Sequence, residues 1–404
     1  MKTVGIIAEY NPFHNGHRYQ IEQARKLTNA DYAIVVMSGS FVQRGTPAWT
    51  DQYLRAQMAL DGGADMVFAL PTAFATASAE TFAFGGVSLL HQLGFVDALC
   101  FGSECGDIEK LWEAARFLTS PDQTFEDAIS HLVQTGLSYP AARAKAFSTA
   151  TKQSPELLEK PNNILGIEYL KALLKLHSRI TPVTLSRADH GYHETTGKDK
   201  FLSASGIRAQ YEQSGMLPVS YLPSTTSALL EAEPDRFPLV LNDFSTMLYY
   251  RLATCPVEEL SSYADVSQAL AMRIQNLLPQ YTNASDFVDL LKTKQYTHSR
   301  ISRALTHILL GIRPEHTKSA APYADLLGFR GSASTLLRSV EDFTVITKKA
   351  DVLLQFNKLK EASASYARAH WNIDLLADNL YRQCLLQKTG MKLPDRYHAS
   401  LIRK

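Results

Sequence analysis

Cysteine is scarce in this 404-residue chain: there are four, Cys100, Cys105, Cys255 and Cys384. They form no CxxC pair and no Cys/His cluster at zinc spacing, which argues against a structural zinc site and for a reducing compartment. Long hydrophobic runs are missing as well, since no stretch approaches the about 18–20 apolar residues that span a bilayer. The opening "MKTVGIIAEYNPF" carries one Lys and only "VGIIA" as an apolar run, so it reads as a buried strand rather than a secretory leader. A cytoplasmic protein without membrane contact is expected. Internal repeats and low-complexity tracts are lacking too, and no segment implies a protein partner.

Net charge is almost absent, at +1, but it is unevenly spread. From Leu291 to Lys404 there are 19 Lys and Arg against 9 Asp and Glu, while the preceding 290 residues carry 22 against 31. A basic C-terminal part balanced by an acidic N-terminal one points to a polyanionic partner for the former.

What is present is an alternation. Apolar strands at 3–10, 31–39, 65–71, 96–104 and 180–187 are separated by helical stretches such as 16–28, 50–63, 78–94 and 162–177. Short, near-continuous apolar strands between helices predict an α/β, Rossmann-like parallel sheet covered on both faces. Ligands of such sheets bind beyond the carboxyl ends of the strands. After Gly215 four prolines follow within "MLPVSYLPSTTSALLEAEPDRFP" and the alternation stops, which places a boundary near 216. Residues 1–215 are expected to form the sheet domain and 216–404 a mainly α-helical, basic domain.

Two motifs fall at strand-to-helix junctions. In "NPFHNGH" (11–17) His14 precedes a helix and His17 lies in its first turn, with Gly16 between them. The unpaired N–H groups and positive dipole end of that helix suit a phosphate, and Gly16 lets a ligand approach the backbone. In "LSASGIR" (202–208) Ser203 and Ser205 offer hydroxyls at another helix start, and Arg208 offers a charged fork one turn later.

Together these motifs resemble the HIGH-type nucleotidyltransferase superfamily. "GIIAEYNPFHNGH", "VVMSGSFVQRGTPA", "FGSECGDI", "KPNNILGIEYL" and "THSRISRALTHILLGI" extend the resemblance along nearly the whole chain to the tRNA(Met) cytidine acetate ligase family. That resemblance implies an ATP-dependent ligase that converts acetate to acetyl-adenylate and acetylates N4 of the wobble cytidine of elongator tRNA(Met). By position, it places ATP along Ile7, Ala8, Glu9, Tyr10, Asn11, Pro12, Phe13, His14, Asn15, Gly16, His17, Arg18, Tyr19 and Gln20. Gly102, Asn162 or Asn163, Arg187 and Ser205 complete that site, and His14, His17 and Arg208 are the catalytic candidates. Mg²⁺ is expected to bridge phosphates, with phosphate and water supplying most of its shell; no side chain is assigned as its ligand. No general base for acetyl transfer is identified, although His190 and His193 lie in a polar loop at 188–200. In the basic part, "KQYTHSRISRALTH" (294–307) puts His298, Arg300 and Arg303 on one helix as tRNA-binding candidates. A small-molecule adenylyltransferase of the nicotinamide or pantetheine nucleotide type would use the same two motifs but needs no basic domain.

Overall fold

The computed structural model of the protein describes residues 1–187, 201–294 and 296–404. His190 and His193 lie outside the described residues. The strands are β1 (Thr3–Ala8), β2 (Tyr32–Ser38), β3 (Phe41–Val42), β4 (Thr46–Pro47), β5 (Met66–Leu70), β6 (Ala98–Ser103), β7 (Thr181–Ser186), β8 (Ala324–Phe329), β9 (Val345–Ile346) and β10 (Ile402–Arg403). In the main sheet they run β10-β8-β5-β2-β1-β6-β7, with β9 beside β8, while β3 and β4 form a separate hairpin. β1 pairs in parallel with β2 on one side and with β6 on the other. The chain therefore fills one side of β1 first, through β2 and β5, and then the other through β6 and β7. Such a reversal opens a crevice at the carboxyl ends of the two strands that flank it.

Residue alternation covers both faces. In β2, Ile34 and Val36 join Leu89, Leu90 and Leu170 of helices Ala79–Gln92 and Pro161–Lys175. Ala33, Val35 and Met37 join Ile21, Leu54 and Met58 of helices Asn15–Thr28 and Gln52–Asp61. A strand buried on both faces has no polar side to expose, which explains its unbroken apolar sequence.

Beyond residue 216 the chain is mainly helical, but the sheet does not stop there. β8, β9 and β10 belong to it, and β8 pairs with β5 antiparallel, so the sheet is mixed rather than purely parallel. β8 escapes recognition because Asp325 interrupts its apolar run. That carboxylate is fully buried, and Arg396 from the far end of the chain meets it at 2.6 Å. Arg396 also reaches Asp374 at 3.3 Å and Asp378 at 2.6 Å, both on helix Glu361–Thr389. Among the described residues no helix is long and apolar enough to cross a membrane.

A second seam joins the halves at helix His298–Leu310. Ser302 and Thr306 donate to the Gly45 carbonyl at 2.7 and 2.8 Å, gripping the turn of the β3–β4 hairpin. His307 places its ring nitrogens 3.0 Å from the carbonyls of Ala264 and Thr76. Gly45 adopts φ +70°, and a Cβ there would overlap the backbone of Ser302 and Arg303. Gly45→Val should therefore lower global stability by about 3 kcal/mol, through strained backbone and forced separation of the helix. Denaturant unfolding checks this; a loss under about 0.5 kcal/mol would show that the seam is not close-packed.

Candidate active site

From Ala8 the chain crosses out of the sheet and enters helix Asn15–Thr28 at His14. Tyr10 takes a left-handed φ of 49°, and it drops a fully buried ring beside that of Phe13, edge to face at 4.9 Å. The Asn11 side-chain oxygen accepts the Trp49 N–H at 2.7 Å, while its main-chain carbonyl accepts from the Arg208 guanidinium. Beneath this loop lies Arg55, fully buried. It donates to the carbonyls of Thr50 (2.9 Å), Glu9 (2.7 Å), Ser38 (2.9 Å) and Gly39, and so ties together the ends of β1 and β2. Arg55 belongs to neither motif, and its sequence signal is a lone cation inside the helix "QYLRAQMALD".

The two motif histidines cap the helix reciprocally. His14 Nδ1 accepts the Gly16 N–H at 3.0 Å, and His17 Nδ1 accepts the His14 N–H at 3.3 Å. Their rings stack with centroids 3.6 Å apart. Burial pushes the His14 pKa down to about 3, helped by the positive charge of Arg187. His17 is pushed well down by burial, then by His14 and by Arg187. Both rings are thus neutral near pH 7, and because each Nδ1 is an acceptor, each proton sits on Nε2. The helix start offers two neutral N–H donors beside its own unpaired backbone amides.

The ends of β6 and β7 supply the opposite wall. Gly102 faces the Arg187 side chain so closely that a Cβ would lie 3.2 Å from it. Arg187 donates to the Asn162 side-chain oxygen at 3.5 Å. Asn162 is itself oriented by Glu104, whose carboxylate accepts its side-chain N–H at 2.6 Å and the backbone N–H of Asn163 at 2.8 Å. Glu104 thereby caps helix Pro161–Lys175. The Asn163 amide is spent on the Cys105 N–H at 3.0 Å and the Glu156 carbonyl, so its role is to fix this loop, and Asn162 is the one facing Arg187.

Among the remaining candidates, Gly16, His17, Tyr19 and Gln20 border a narrow cleft with Gly102, Leu185, Ser186, Arg187 and Phe201. Phe201, which precedes the second motif, and Tyr19 set their rings 5.7 Å apart there. Ile7, Tyr10, Pro12 and Phe13 are buried beneath the cleft; Ala8 is half-buried at the end of β1. Glu9 accepts the Gln43 N–H at 2.9 Å, and Asn15 donates to the Ser220 carbonyl at 3.1 Å. Arg18 is exposed and pairs with Glu22, so it points along the helix surface. Ser203, not Ser205, is the helix cap, accepting the Gly206 N–H at 3.2 Å, and the exposed Ser205 hydroxyl lies 3.0 Å from that of Ser203. Arg208 stands with Asn11 and Glu9, and Arg187 with the histidines. Burial pushes the Arg208 pKa down, opposed by Glu9.

On helix His298–Leu310 the three basic candidates differ. His298 is exposed and 3.8 Å from Asp289, and Arg300 lies over the Tyr296 ring at 5.1 Å. Arg303 is ion-paired with Asp265 at 3.1 Å and largely covered. Among the described residues no group of three His, Cys, Asp or Glu side chains is placed to hold a metal ion.

A mostly parallel sheet with a histidine-capped helix at its switch point defines the chain as a HIGH-class nucleotidyltransferase, and the family model described as HIGH Nucleotidyl Transferase matches residues 1–394. Two relatives carry the name tRNA(Met) cytidine acetate ligase. The one from Caldanaerobacter subterraneus subsp. tengcongensis is 38% identical over 391 residues, covering 94% of this chain and 95% of that protein. The one from Acetivibrio thermocellus is 33% identical over 419 residues, covering all of both. The crystal structure of Thermotoga maritima TmcAL bound with alpha-thio ATP superposes with a TM-score of 0.90 at 30% identity over the full length of both chains. The chain belongs to the tRNA(Met) cytidine acetate ligase family.

The depressed histidine pKa values have a signed consequence. Below about pH 6.5 the unfolded chain takes up protons that folded His14 refuses, so stability is lost as pH falls toward 3 and is unaffected above 7. His14→Asn keeps an amide oxygen for the Gly16 N–H. It should abolish about 2 kcal/mol of the stability lost between pH 7 and pH 5. Parallel denaturation curves for parent and variant at the two pH values would contradict neutral burial of His14.

Proposed function

We propose that the protein activates acetate with ATP as acetyl-adenylate and transfers the acetyl group to N4 of the wobble cytidine of elongator tRNA(Met). Residues 1–215 would carry the chemistry and 216–404 would hold the tRNA. The observation that carries this reading is the reciprocal histidine cap at the sheet's switch point, in a chain matched over its whole length by relatives of that name. In the first step an acetate oxygen attacks the α-phosphorus and pyrophosphate leaves. Charge builds on the phosphorus-bound oxygens, where two Nε2–H donors, the helix N-terminus and the guanidinium of Arg187 can receive it. Because the imidazoles are neutral, they supply direction, and the arginines supply charge; Arg208 adds its charge on the Asn11 side. Magnesium, if bound, screens the phosphates of ATP. In the second step the cytidine amine attacks the acetyl carbonyl, AMP departs with the acetate oxygen, and the amine gives up a proton.

The test is acetate- and ATP-dependent acetylation of a tRNA(Met) transcript by the purified full-length protein; release of a dinucleotide from a nicotinamide or pantetheine substrate instead would overturn it. His17→Ala should cut acetate-dependent pyrophosphate release by about two to three orders of magnitude, as for one transition-state donor. Loss of its cap should cost only about 1 kcal/mol of stability. Near-normal release by a folded variant would remove His17 from the chemistry. Arg300→Glu should weaken tRNA binding and leave pyrophosphate release intact. Arg303 is a poor probe of the same idea, because its reversal would also break the pair with Asp265. Equal loss of both activities in Arg300→Glu would make that residue a support of the fold.

A further inference from the structure

The hairpin after β2 holds a cation that neither motif accounts for. Arg44 sits in the three-residue turn between β3 and β4, where Gly45 supplies the left-handed position that such turns need. Its side chain is exposed and makes no hydrogen bond or ion pair with any of the described residues. Its backbone is fixed on both sides. The preceding Gln43 N–H is bonded to Glu9 Oε1 at 2.9 Å, at the end of β1. The following Gly45 carbonyl is gripped by Ser302 and Thr306 of helix His298–Leu310. Arg44 therefore marks the point where the strand-end site and that helix meet.

Its electrostatic setting is unusual for a surface arginine. Arg208 has its pKa pushed down mainly by burial, and the positive charge of Arg44 adds to the effect. Glu9 opposes that effect on Arg208 and accepts the Gln43 N–H beside Arg44, so two guanidinium groups face one carboxylate and the remaining positive charge favours an anion. Arg303, the nearby cation of the helix, is already committed to Asp265, whereas Arg300 lies one turn closer to the helix start, over Tyr296. The hairpin is also one wall of a cavity of about 500 Å³ that it shares with Asn11, Arg208 and Tyr211. That is room for a single nucleoside next to the site.

We propose that Arg44 binds the RNA backbone phosphate beside the nucleotide whose base enters the site, so that the strand crosses from helix His298–Leu310 over the hairpin to the strand ends. The inference rests on the reading of the protein as a tRNA-acetylating enzyme. A base can reach an acyl group at the strand ends only after leaving its stack, and a grip on the adjoining phosphate holds the extruded nucleotide in register. A guanidinium fork matches a phosphodiester, and a lysine in its place would keep the charge but lose the paired bonds.

Arg44→Glu and Arg44→Lys in the full-length protein test this, with two readouts: acetate-dependent pyrophosphate–ATP exchange without RNA, and acetyl transfer to a tRNA(Met) transcript across 50–200 mM salt. For Arg44→Glu the exchange should stay within about two-fold of the parent, kcat/KM for tRNA should fall on the order of 30-fold, and the log–log salt slope should flatten by about 0.7–0.9, one phosphate contact. Arg44→Lys should retain the parent's slope with a smaller loss of rate. Exchange falling in step with transfer would mean that Arg44 serves acetate or ATP, and the proposal would be wrong. Transfer and slope both unchanged in Arg44→Glu would overturn this proposal alone. A parent protein that exchanges pyrophosphate but acetylates no tRNA would overturn the functional reading, and this inference with it.

Discussion

Two backbone N–H groups at the start of one helix need acceptors, and two stacked imidazoles provide them. That requirement fixes everything the site can do. With each Nδ1 occupied, each ring must carry its proton on Nε2, and with both rings packed at 3.6 Å neither can readily become charged. In the proposed reaction the histidines would act as aimed dipoles whose direction costs nothing to organise, and net positive charge would have to come from elsewhere. Arg187 stands at the end of β7 and Arg208 on the Asn11 side, where that reading would draw it, while Arg55, bonded among the described residues to carbonyls, ties the ends of β1 and β2 together. A glycine at 102 leaves space for Arg187 to lie against the strand end.

The same constraint of position reaches across the molecule. Asp378 of helix Glu361–Thr389 accepts from Ser40 at 2.6 Å and from Gln52 at 2.9 Å, directly behind the loop that follows β2. Arg396 binds that carboxylate together with Asp325 and Asp374, so the C-terminal segment is part of the scaffold beneath the site. Groups of this kind are expensive to bury and worse to break, since losing one partner strands the others. They also sharpen the charge asymmetry. In residues 291–404 three of the acidic side chains are buried but only two of the cations, Lys349 and Arg396, so the exposed part of that region is more basic than its composition implies.

Most of the sheet half was legible because its signals are local. Apolar runs of strand length, helix starts marked by His14 and Ser203, and glycines at turns each depend on neighbours a few residues away. β8 and β10 were not legible, since a strand containing Asp325 is tolerable only when Arg396 arrives 71 residues later. Arg303 looked like part of a basic face for the same reason: Asp265, its partner, is 38 residues upstream. Asn162 and Asn163 could not be told apart from sequence, because both lie at one helix start and only Glu104 and the Cys105 N–H decide which amide faces Arg187. The two histidines and the arginines of the candidate site stood out by residue type, whereas its supports, Arg55 and Glu104, were hidden by acting through backbone groups.

The central claim is that the histidine-capped helix directs acetate to the α-phosphorus of ATP. Acetate labelled with ¹⁸O, supplied with ATP and a tRNA(Met) transcript, tests it most directly by mass spectrometry of the nucleotide released. Attack at the α-phosphorus leaves one acetate oxygen on AMP once the acetyl group has moved to the cytidine amine, so AMP should carry a single ¹⁸O per turnover. Release of ADP with the label in inorganic phosphate would mean attack at the terminal phosphorus, and would contradict the account.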